Sequence, residues 1–354
     1  MREYRCALVG LSDIAGAPAE PTLAGVRWAL PYSHAAALAR IPSARVVAAC
    51  DLDPTREEHF ARTWRPVWPE LRTYRDFARM LAAEDLDVLG VCTPDDRHAD
   101  IVIAAAERGV RAIMCEKPLA TSLADADRMV AAIEMSGTIC AVDHTRRWDP
   151  FYARVKELIE AGRVGRVLSV VATLHGERAM LFRNGTHVLD LLCWYAGASP
   201  QRVFARLDPA CDDYTSYRGD GGHDPNAEPS ASAYVEFANG VRGYYNGIKG
   251  RVAHTEWDIL GTAGRIWIGP SIAELWTHDE ASDEMVLRPF PAMMLMTGGI
   301  QAAYEELFSA LESNSSVRST ARDGRQVVAL IEAILDSQRT GGMVGIRELP
   351  GRSM

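Results

Sequence analysis

The stretch Arg5-Cys6-Ala7-Leu8-Val9-Gly10-Leu11-Ser12-Asp13-Ile14-Ala15-Gly16 decides the fold. It starts as a short, nearly unbroken apolar run rather than an alternating one, as expected of a strand covered on both faces of a parallel sheet. A glycine turn and a set of small residues follow. Against the pattern G-x-G-x-x-G/A, Gly10 stands first, Ser12 takes the middle position and Ala15 the last. Small residues are required there because the backbone must approach a pyrophosphate closely, its charge held by N–H groups at a helix start. Gly10, Ser12, Asp13 and Ile14 are therefore the candidate phosphate loop. A plain glycine turn after a strand is the competing reading of this stretch alone.

The neighbouring sequence favours the first reading. Apolar runs recur at Arg45–Cys50, Asp87–Cys92, Ala112–Cys115 and Ile139–Val142. Helical patterns separate them at Ser33–Ile41, Thr55–Trp64, Tyr74–Ala83, Asp96–Arg108 and Leu123–Ser136. Such alternation predicts a doubly wound parallel α/β sheet. The second run ends in Cys50-Asp51, and an acid there accepts hydrogen bonds from an adenosine ribose. Asp51 would also repel a 2′-phosphate, so NAD is expected over NADP. Its distance from Gly10 exceeds the usual spacing of about 20 residues. The surplus is the Pro/Gly-rich segment Gly16–Pro31, read as an insertion.

Past about Asp149 the pattern changes. A helix over Phe151–Glu160 leads into β-like runs at Arg166–Leu174, Arg202–Leu207, Ala231–Phe237, Val241–Ile248, Glu256–Leu260 and Arg265–Ile268. Asn184–Ala196 reads as an interrupting helix, Asp212–Pro229 as a polar loop, and Ile300–Ser313 with Ala321–Arg339 as closing helices. The expected division is residues 1–145, a Rossmann domain, and 146–354, an α/β domain with a mostly antiparallel sheet.

Composition narrows the function classes. Of 354 residues 48% are hydrophobic, which excludes wholesale disorder, and the net charge of −9 argues against nucleic-acid or anionic-membrane partners. No apolar run reaches the 18–20 residues of a membrane span, and the Met1–Arg5 start carries no signal-peptide flank, so a cytoplasmic protein is expected. The seven cysteines form no CxxC pair and read as small buried residues in a reducing compartment. Clustered Cys/His spacing is absent, so no metal site is expected.

Three further stretches, Thr93-Pro94-Asp95-Asp96-Arg97-His98, Glu116-Lys117-Pro118 and Gly185-Thr186-His187-Val188-Leu189-Asp190, resemble in order and spacing the Gfo/Idh/MocA family of glucose–fructose oxidoreductase and inositol dehydrogenase. The Glu-Lys-Pro tripeptide at the end of a Rossmann strand is the most specific of them. Leu260–Arg265 resembles the family's sheet hairpin, and Ser337–Gly341 its C-terminal helix end. The resemblance implies an NAD-dependent oxidoreductase acting on a sugar, sugar derivative or cyclitol. It also implies a homodimer or homotetramer assembled through the second sheet. Thr93, Pro94, His98, Glu116 and Lys117 would line the cofactor, and Pro118 would fix the turn.

The chemistry also follows from the residue types. Oxidising a secondary alcohol needs a hydride acceptor and a base for the hydroxyl proton. Lys117, partly desolvated beside a cationic nicotinamide, is suited to be that base. His187 is the second candidate, able to hydrogen-bond the reacting oxygen or relay its proton, with Asp190 one turn on. Many family members carry an aspartate four residues before this histidine; here Arg183 stands there, followed by Asn184. Arg183, Asn184 and Asp190, together with Arg146 and Arg147 of the His144–Pro150 segment, are the candidate substrate contacts, with support of its helix the competing reading of Asp190. A structural salt bridge is the competing reading of the arginine pair, and Trp148 reads as packing. His175, Glu177, Arg178, Tyr245 and Asn246 are weaker pocket candidates.

Two other functions stay open at this stage. One is a glycoside-cleaving enzyme that oxidises, eliminates and re-reduces with a recycled, tightly bound NAD. The other is a non-catalytic NAD-binding sensor on the same fold.

Overall fold

The computed structural model of the chain describes residues 3–18, 31–211, 214, 217, 224–269, 272–290 and 298–349. Most of the Gly16–Pro31 insertion and much of the Asp212–Pro229 loop lie outside the described residues. The chain divides into two compact units, Met1–Asp149 with Met296–Arg325, and Pro150–Leu295 with Gln326–Met354.

In the first unit, strand β1 (Tyr4–Val9) leads through a one-turn helix α1 (Asp13–Gly16) and a short helix α2 (His34–Leu38) to β2 (Ala44–Cys50). Then come α3 (Pro54–Trp64), β3 (Arg72–Tyr74), α4 (Phe77–Ala83), β4 (Val88–Val91), α5 (His98–Glu107), β5 (Ala112–Cys115), α6 (Leu123–Ser136) and β6 (Ile139–Val142). The strands order as β3-β2-β1-β4-β5-β6, and their paired neighbours run parallel. The order in which the chain adds strands reverses between β1 and β4. The helices begin where the sequence offers acceptors for orphan N–H groups. Asp53 caps α3 with Pro54 in its first turn, Asp76 caps α4 and Ser122 caps α6. Gly137, with φ +72°, ends α6.

The second unit starts with α7 (Pro150–Glu160) and β7 (Val167–His175), then α8 (Gly185–Ala196), β8 (Pro200–Leu207), β9 (Ala231–Phe237) and β10 (Arg242–Ile248). The strands β11 (His254–Gly261), β12 (Gly264–Ile268), β13 (Ala273–Asp279) and β14 (Glu284–Arg288) follow. The chain then runs through α9 (Gly299–Ser313), which belongs to the first unit, α10 (Ala321–Thr340) and β15 (Val344–Gly345). Among the described residues the sheet has nine strands, ordered β14-β13-β12-β11-β7-β10-β9-β8-β15. All its pairs are antiparallel except β7 with β10. Helix α8 packs on β7 and β10. The N–H groups of Ala205 and Leu207 on β8 donate to Ser337 Oγ (2.8 Å) and Gln338 Oε1 (3.2 Å) of α10. Side chains thus satisfy ladder positions of β8 beyond its short pairing with β15.

The sequence reading differs from the structure in several elements. Strands β3, β13, β14 and β15 were not expected. Two of them are only two or three residues long, and β13–β14 mixes polar residues on both faces. Helix α9, expected beyond residue 145 in the second domain, packs in the first unit. The reason is its apolar stripe: Ile300, Ala303, Tyr304, Leu307 and Phe308 join the core around Tyr4, Leu8 and Leu38. Tyr4 and Phe308 stack with ring centroids 4.8 Å apart. Among the described residues no helix is long and apolar enough to cross a membrane.

Leu307 is wholly buried in that core. Leu307→Ala should cost about 2–5 kcal/mol by urea unfolding. A change below about 0.5 kcal/mol, typical of a surface site, would show that α9 does not complete the first core.

Candidate active site

The carboxyl ends of β1, β2, β4, β5 and β6 lie along one edge of the parallel sheet. Most of the residues expected to meet a dinucleotide follow directly after one of them. Ligands of open parallel sheets bind at this edge, where the strand order reverses.

Gly10 follows β1 with φ +83°. A Cβ there would lie 2.6 Å from the carbonyl of Cys92 and the N of Thr93, so only glycine lets this turn come so close to the end of β4. Ser12 precedes α1, Asp13 is exposed and Ile14 half-buried. Asp51 accepts the Leu11 N–H at 2.7 Å and the Asp53 N–H at 2.9 Å. The Gly10–Leu11 turn and Asp51 are therefore one hydrogen bond apart, although 40 residues separate Leu11 from Asp51 in sequence. Past β4, Pro94 is exposed, and the buried Thr93 Oγ1 has no hydrogen-bond partner among the described residues. Unmet buried hydroxyls are uncommon. A backbone cradle without a Cβ, an acid after β2 and an unmatched hydroxyl after β4 together fit a dinucleotide. His98 is placed differently. It is fully buried, with Nδ1 2.9 Å from the Pro118 carbonyl oxygen and Nε2 3.1 Å from that of Thr93. It ties the two loops together from behind.

Glu116 and Lys117 follow β5, and the Lys117–Pro118 peptide bond is cis. Glu116 Oε2 accepts the Lys117 backbone N–H at 3.1 Å. Its Oε1 lies 3.2 Å from His34 Nε2, which is 3.6 Å from Asp143 Oδ2 just past β6. His34 Nδ1 lies 2.9 Å from the Tyr304 hydroxyl of α9. These side chains are almost dry: His34 is 0%, Asp143 2% and Glu116 13% exposed.

Burial opposes ionisation of Glu116, but the hydrogen bond and charge of His34, then the Lys117 charge, outweigh it and bring its carboxyl down to about 2. Burial and the facing Glu116 charge push Asp143 up to about 7. Burial alone would favour neutral His34, yet Cys92, Tyr304 and Glu116 together hold its imidazolium well above the ordinary range. Cys92 and Tyr304 are themselves kept protonated by burial, so the acids facing His34 are Glu116 and, above its midpoint of about 7, Asp143.

The arginine pair separates. Arg147 is buried, donates to the Arg318 carbonyl and pairs with Asp323 at 3.2 Å. This corrects its expected role as a substrate contact: both hands of the guanidinium are used inside the first unit. Arg146 stays half-buried in the Thr145–Trp148 turn, and Trp148 is buried as expected, its indole N–H donating to Glu306.

In the second unit, Arg183, Asn184 and His187 are half-buried at the start of α8, whereas Asp190 is completely buried. Tyr245 is buried beneath β10, and Asn246 on the opposite face accepts from Ser232 at 2.7 Å. His175 is half-buried; Glu177 and Arg178 are exposed.

Residues 5–144 match the family model described as "Oxidoreductase family, NAD-binding Rossmann fold", and residues 152–267 match the GFO/IDH/MocA C-terminal domain. The chain belongs to the Gfo/Idh/MocA family. As a member it is an oxidoreductase whose first unit is an NAD-binding Rossmann domain. A D-apiose dehydrogenase of Paraburkholderia graminis is 39% identical over 133 residues, 38% of this chain and 34% of that protein, so that likeness spans about a third of the relative. An inositol 2-dehydrogenase of Rhizobium meliloti is 28% identical over 328 residues, 86% of this chain and 92% of that protein. A solved levoglucosan dehydrogenase in complex with NADH and L-sorbose has a TM-score of 0.76, covering 98% of this chain and 100% of that one at 23% identity. That last likeness speaks for the fold.

Within this family frame the sequence reading missed His34, Asp143 and Tyr304. Asp143 had a signal, an acid directly past the last Rossmann strand, where ligand-side residues fall. His34 and Tyr304 had none, being 270 residues apart.

The electrostatics set a pH dependence. Asp143 keeps its proton in the folded state up to about 7, while the unfolded chain loses it near 3.8. The native state therefore binds more protons across that window, and stability falls as pH rises through it. Asp143→Asn should remove this loss, gaining a few kcal/mol on wild type between pH 4.5 and 8. Parallel pH profiles of urea unfolding for the two proteins would refute the raised carboxyl.

Proposed function

We propose that this Gfo/Idh/MocA oxidoreductase transfers a hydride between a secondary hydroxyl of a sugar, sugar derivative or cyclitol and NAD, in preference to NADP. Lys117 serves as general acid/base, and His187 assists at the reacting oxygen. The observation that carries this reading is the position of Lys117 just past β5, on the sheet edge shared by Gly10, Asp51 and Thr93. The relatives named above are dehydrogenases of a sugar and of a cyclitol, which supports the substrate class.

The bound nicotinamide supplies the hydride acceptor. Lys117 takes the hydroxyl proton as the C–H hydride leaves, so alcohol becomes ketone; in reduction it returns the proton. Glu116, hydrogen-bonded to the Lys117 backbone N–H, fixes the turn that carries the amine. Gly10, Ser12, Asp13 and Ile14 hold the pyrophosphate side, Asp51 the adenosine ribose, and Thr93 and Pro94 the nicotinamide side. Arg146, Arg183 and Asn184 are the proposed substrate contacts. Asp190, buried within α8, supports the helix that carries His187.

Assembly into a homodimer or homotetramer through the second sheet belongs to the same proposal. One face of that sheet exposes Val171, Phe204, Tyr244, Ile248, Leu260 and Leu287. Strand register puts them on the same side. Phe204, Tyr234, Tyr244 and Val171 stand in one row across β8, β9, β10 and β7, and an exposed apolar row of this kind favours a partner.

Lys117→Met should lower NADH formation by about 100-fold or more with the active member of a polyol panel, while NADH binding by fluorescence persists. A near-wild-type rate would remove Lys117 from the chemistry. Glycoside release with no net NADH would favour the oxidation–elimination reaction instead. Asp51→Ala should lower the ratio of NAD to NADP affinity by about tenfold or more, the scale of hydrogen bonds to a charged group. An unchanged ratio, measured by titrating both cofactors, would deny Asp51 the ribose role.

A further inference from the structure

Two carboxylates behind a lysine that must act as a base are a liability. Glu116 and Asp143 both face His34 Nε2, at 3.2 and 3.6 Å. The charge of each also bears on Lys117. An amine beside two bare carboxylates is held as ammonium, and an ammonium cannot accept a proton. The fold meets this with an imidazole that reaches both acids through one nitrogen. The other nitrogen is held by Tyr304 at 2.9 Å. Gly90 of β4 makes room for that hydroxyl, since a Cβ there would stand 2.7 Å from it.

We propose that His34, Asp143 and Tyr304 are positioning residues for the reaction: His34, held by Tyr304, clamps the Glu116 carboxylate and offsets its charge at the Lys117 amine, while Asp143 adds a charge there that its own protonation removes. The proposal rests on the reading of Lys117 as general base and deepens it. His34 binds Glu116 through one carboxylate oxygen, and the Lys117 backbone N–H binds the other, so the carboxylate cannot rotate without breaking a contact. Below the Asp143 midpoint of about 7 the proton on Asp143 removes the second charge, while the His34 cation faces the Glu116 carboxylate. The groups facing His34 are Cys92 after β4, Glu116 after β5, Asp143 after β6 and Tyr304 on α9. Burial keeps Cys92 and Tyr304 protonated, which leaves the two acids and Lys117 as the charges that matter.

The chain suits a direct measurement, because it contains only three lysines, Lys117, Lys156 and Lys249. Protein labelled with [13Cε]lysine gives three side-chain signals, with Lys117 assigned by its loss in Lys117→Met. His34→Gln should raise the Lys117 titration midpoint by about one pH unit or more, and Asp143→Asn should lower it. Opposite directions are the signature, since a general loosening of the fold would not split them. If neither variant folds, wild-type protein carries the test: its Lys117 signal should show a second step near neutrality as Asp143 titrates. With NADH and the active polyol, the acid limb of kcat/KM should move as the Lys117 midpoint does.

Unshifted Lys117 signals in both variants, or a single-step wild-type titration, overturn the proposal and leave Lys117 free to be the base. Turnover retained by Lys117→Met overturns the base reading whatever the NMR shows. One nitrogen or oxygen atom from each of His34, Glu116 and Asp143 lies within 4.8 Å of the others. Stoichiometric metal in purified protein, lost in Asp143→Asn, would also overturn the proposal, since a cation would then do the work assigned to the His34 proton.

Discussion

The contact between His34 Nε2 and the Glu116 carboxylate is the constraint on which the sheet edge depends. Two acids that are nearly dry cannot both stay ionised a few ångströms apart without a cation between them. Removing charges from water costs several kcal/mol each unless the partners are well placed. The imidazole supplies that partner only if α2 enters the core, α9 brings up Tyr304, and β5 and β6 end level with each other. Their register does this, pairing Cys115 with Val142, so Glu116 and Asp143 emerge as neighbours. One electrostatic requirement thus couples four elements of the first unit.

What could be read from the sequence follows the range of the interactions involved. The five longer parallel strands of the first unit were legible because burial on both faces writes itself locally as an apolar run. The places of the Gly10 turn and the Glu-Lys-Pro segment were legible because each is one continuous stretch at a strand end. Asp51 was legible despite its odd spacing, because strand order and not sequence distance brings it to Leu11. By contrast, the place of α9 depends on which of two apolar surfaces accepts its stripe, and an amphipathic pattern does not say which. Arg147 shows the same limit at a single residue: its sequence neighbourhood suits a substrate contact, but its partners Arg318 and Asp323 lie far along the chain.

The second unit carries its candidate groups by a different device. Strand β7 pairs in parallel with β10 and antiparallel with β11, so it sits in the middle of the sheet with α8 laid against it. The helix buries Asp190 completely and leaves His187 half-exposed three residues earlier. Side chains three apart share a face, but their exposures differ, so the two groups are not equivalent candidates. The Ser337–Gly341 segment, read from sequence only as a helix end, also has a physical task. Its Ser337 and Gln338 accept N–H groups of β8.

The insertion after Gly16 has a consequence for the charged cluster as well as for the spacing of the dinucleotide motif. Its flanks are tied: Ser33 Oγ donates to the Ala17 carbonyl at 2.5 Å, and the Trp64 indole N–H donates to the Gly16 carbonyl at 2.8 Å. The chain therefore leaves the first core and returns to it at nearly one point, and the β1–β2 pairing that sets Asp51 beside Leu11 is kept. Closing a longer loop between fixed ends costs only about 0.6 kcal/mol per doubling of its length. The fold can carry the extra residues cheaply, provided the return point holds. That return point is Ser33, which also caps α2 through the Ala36 N–H at 3.1 Å. The next residue is His34, so the bond that closes the insertion also sets the entry of the imidazole that holds Glu116.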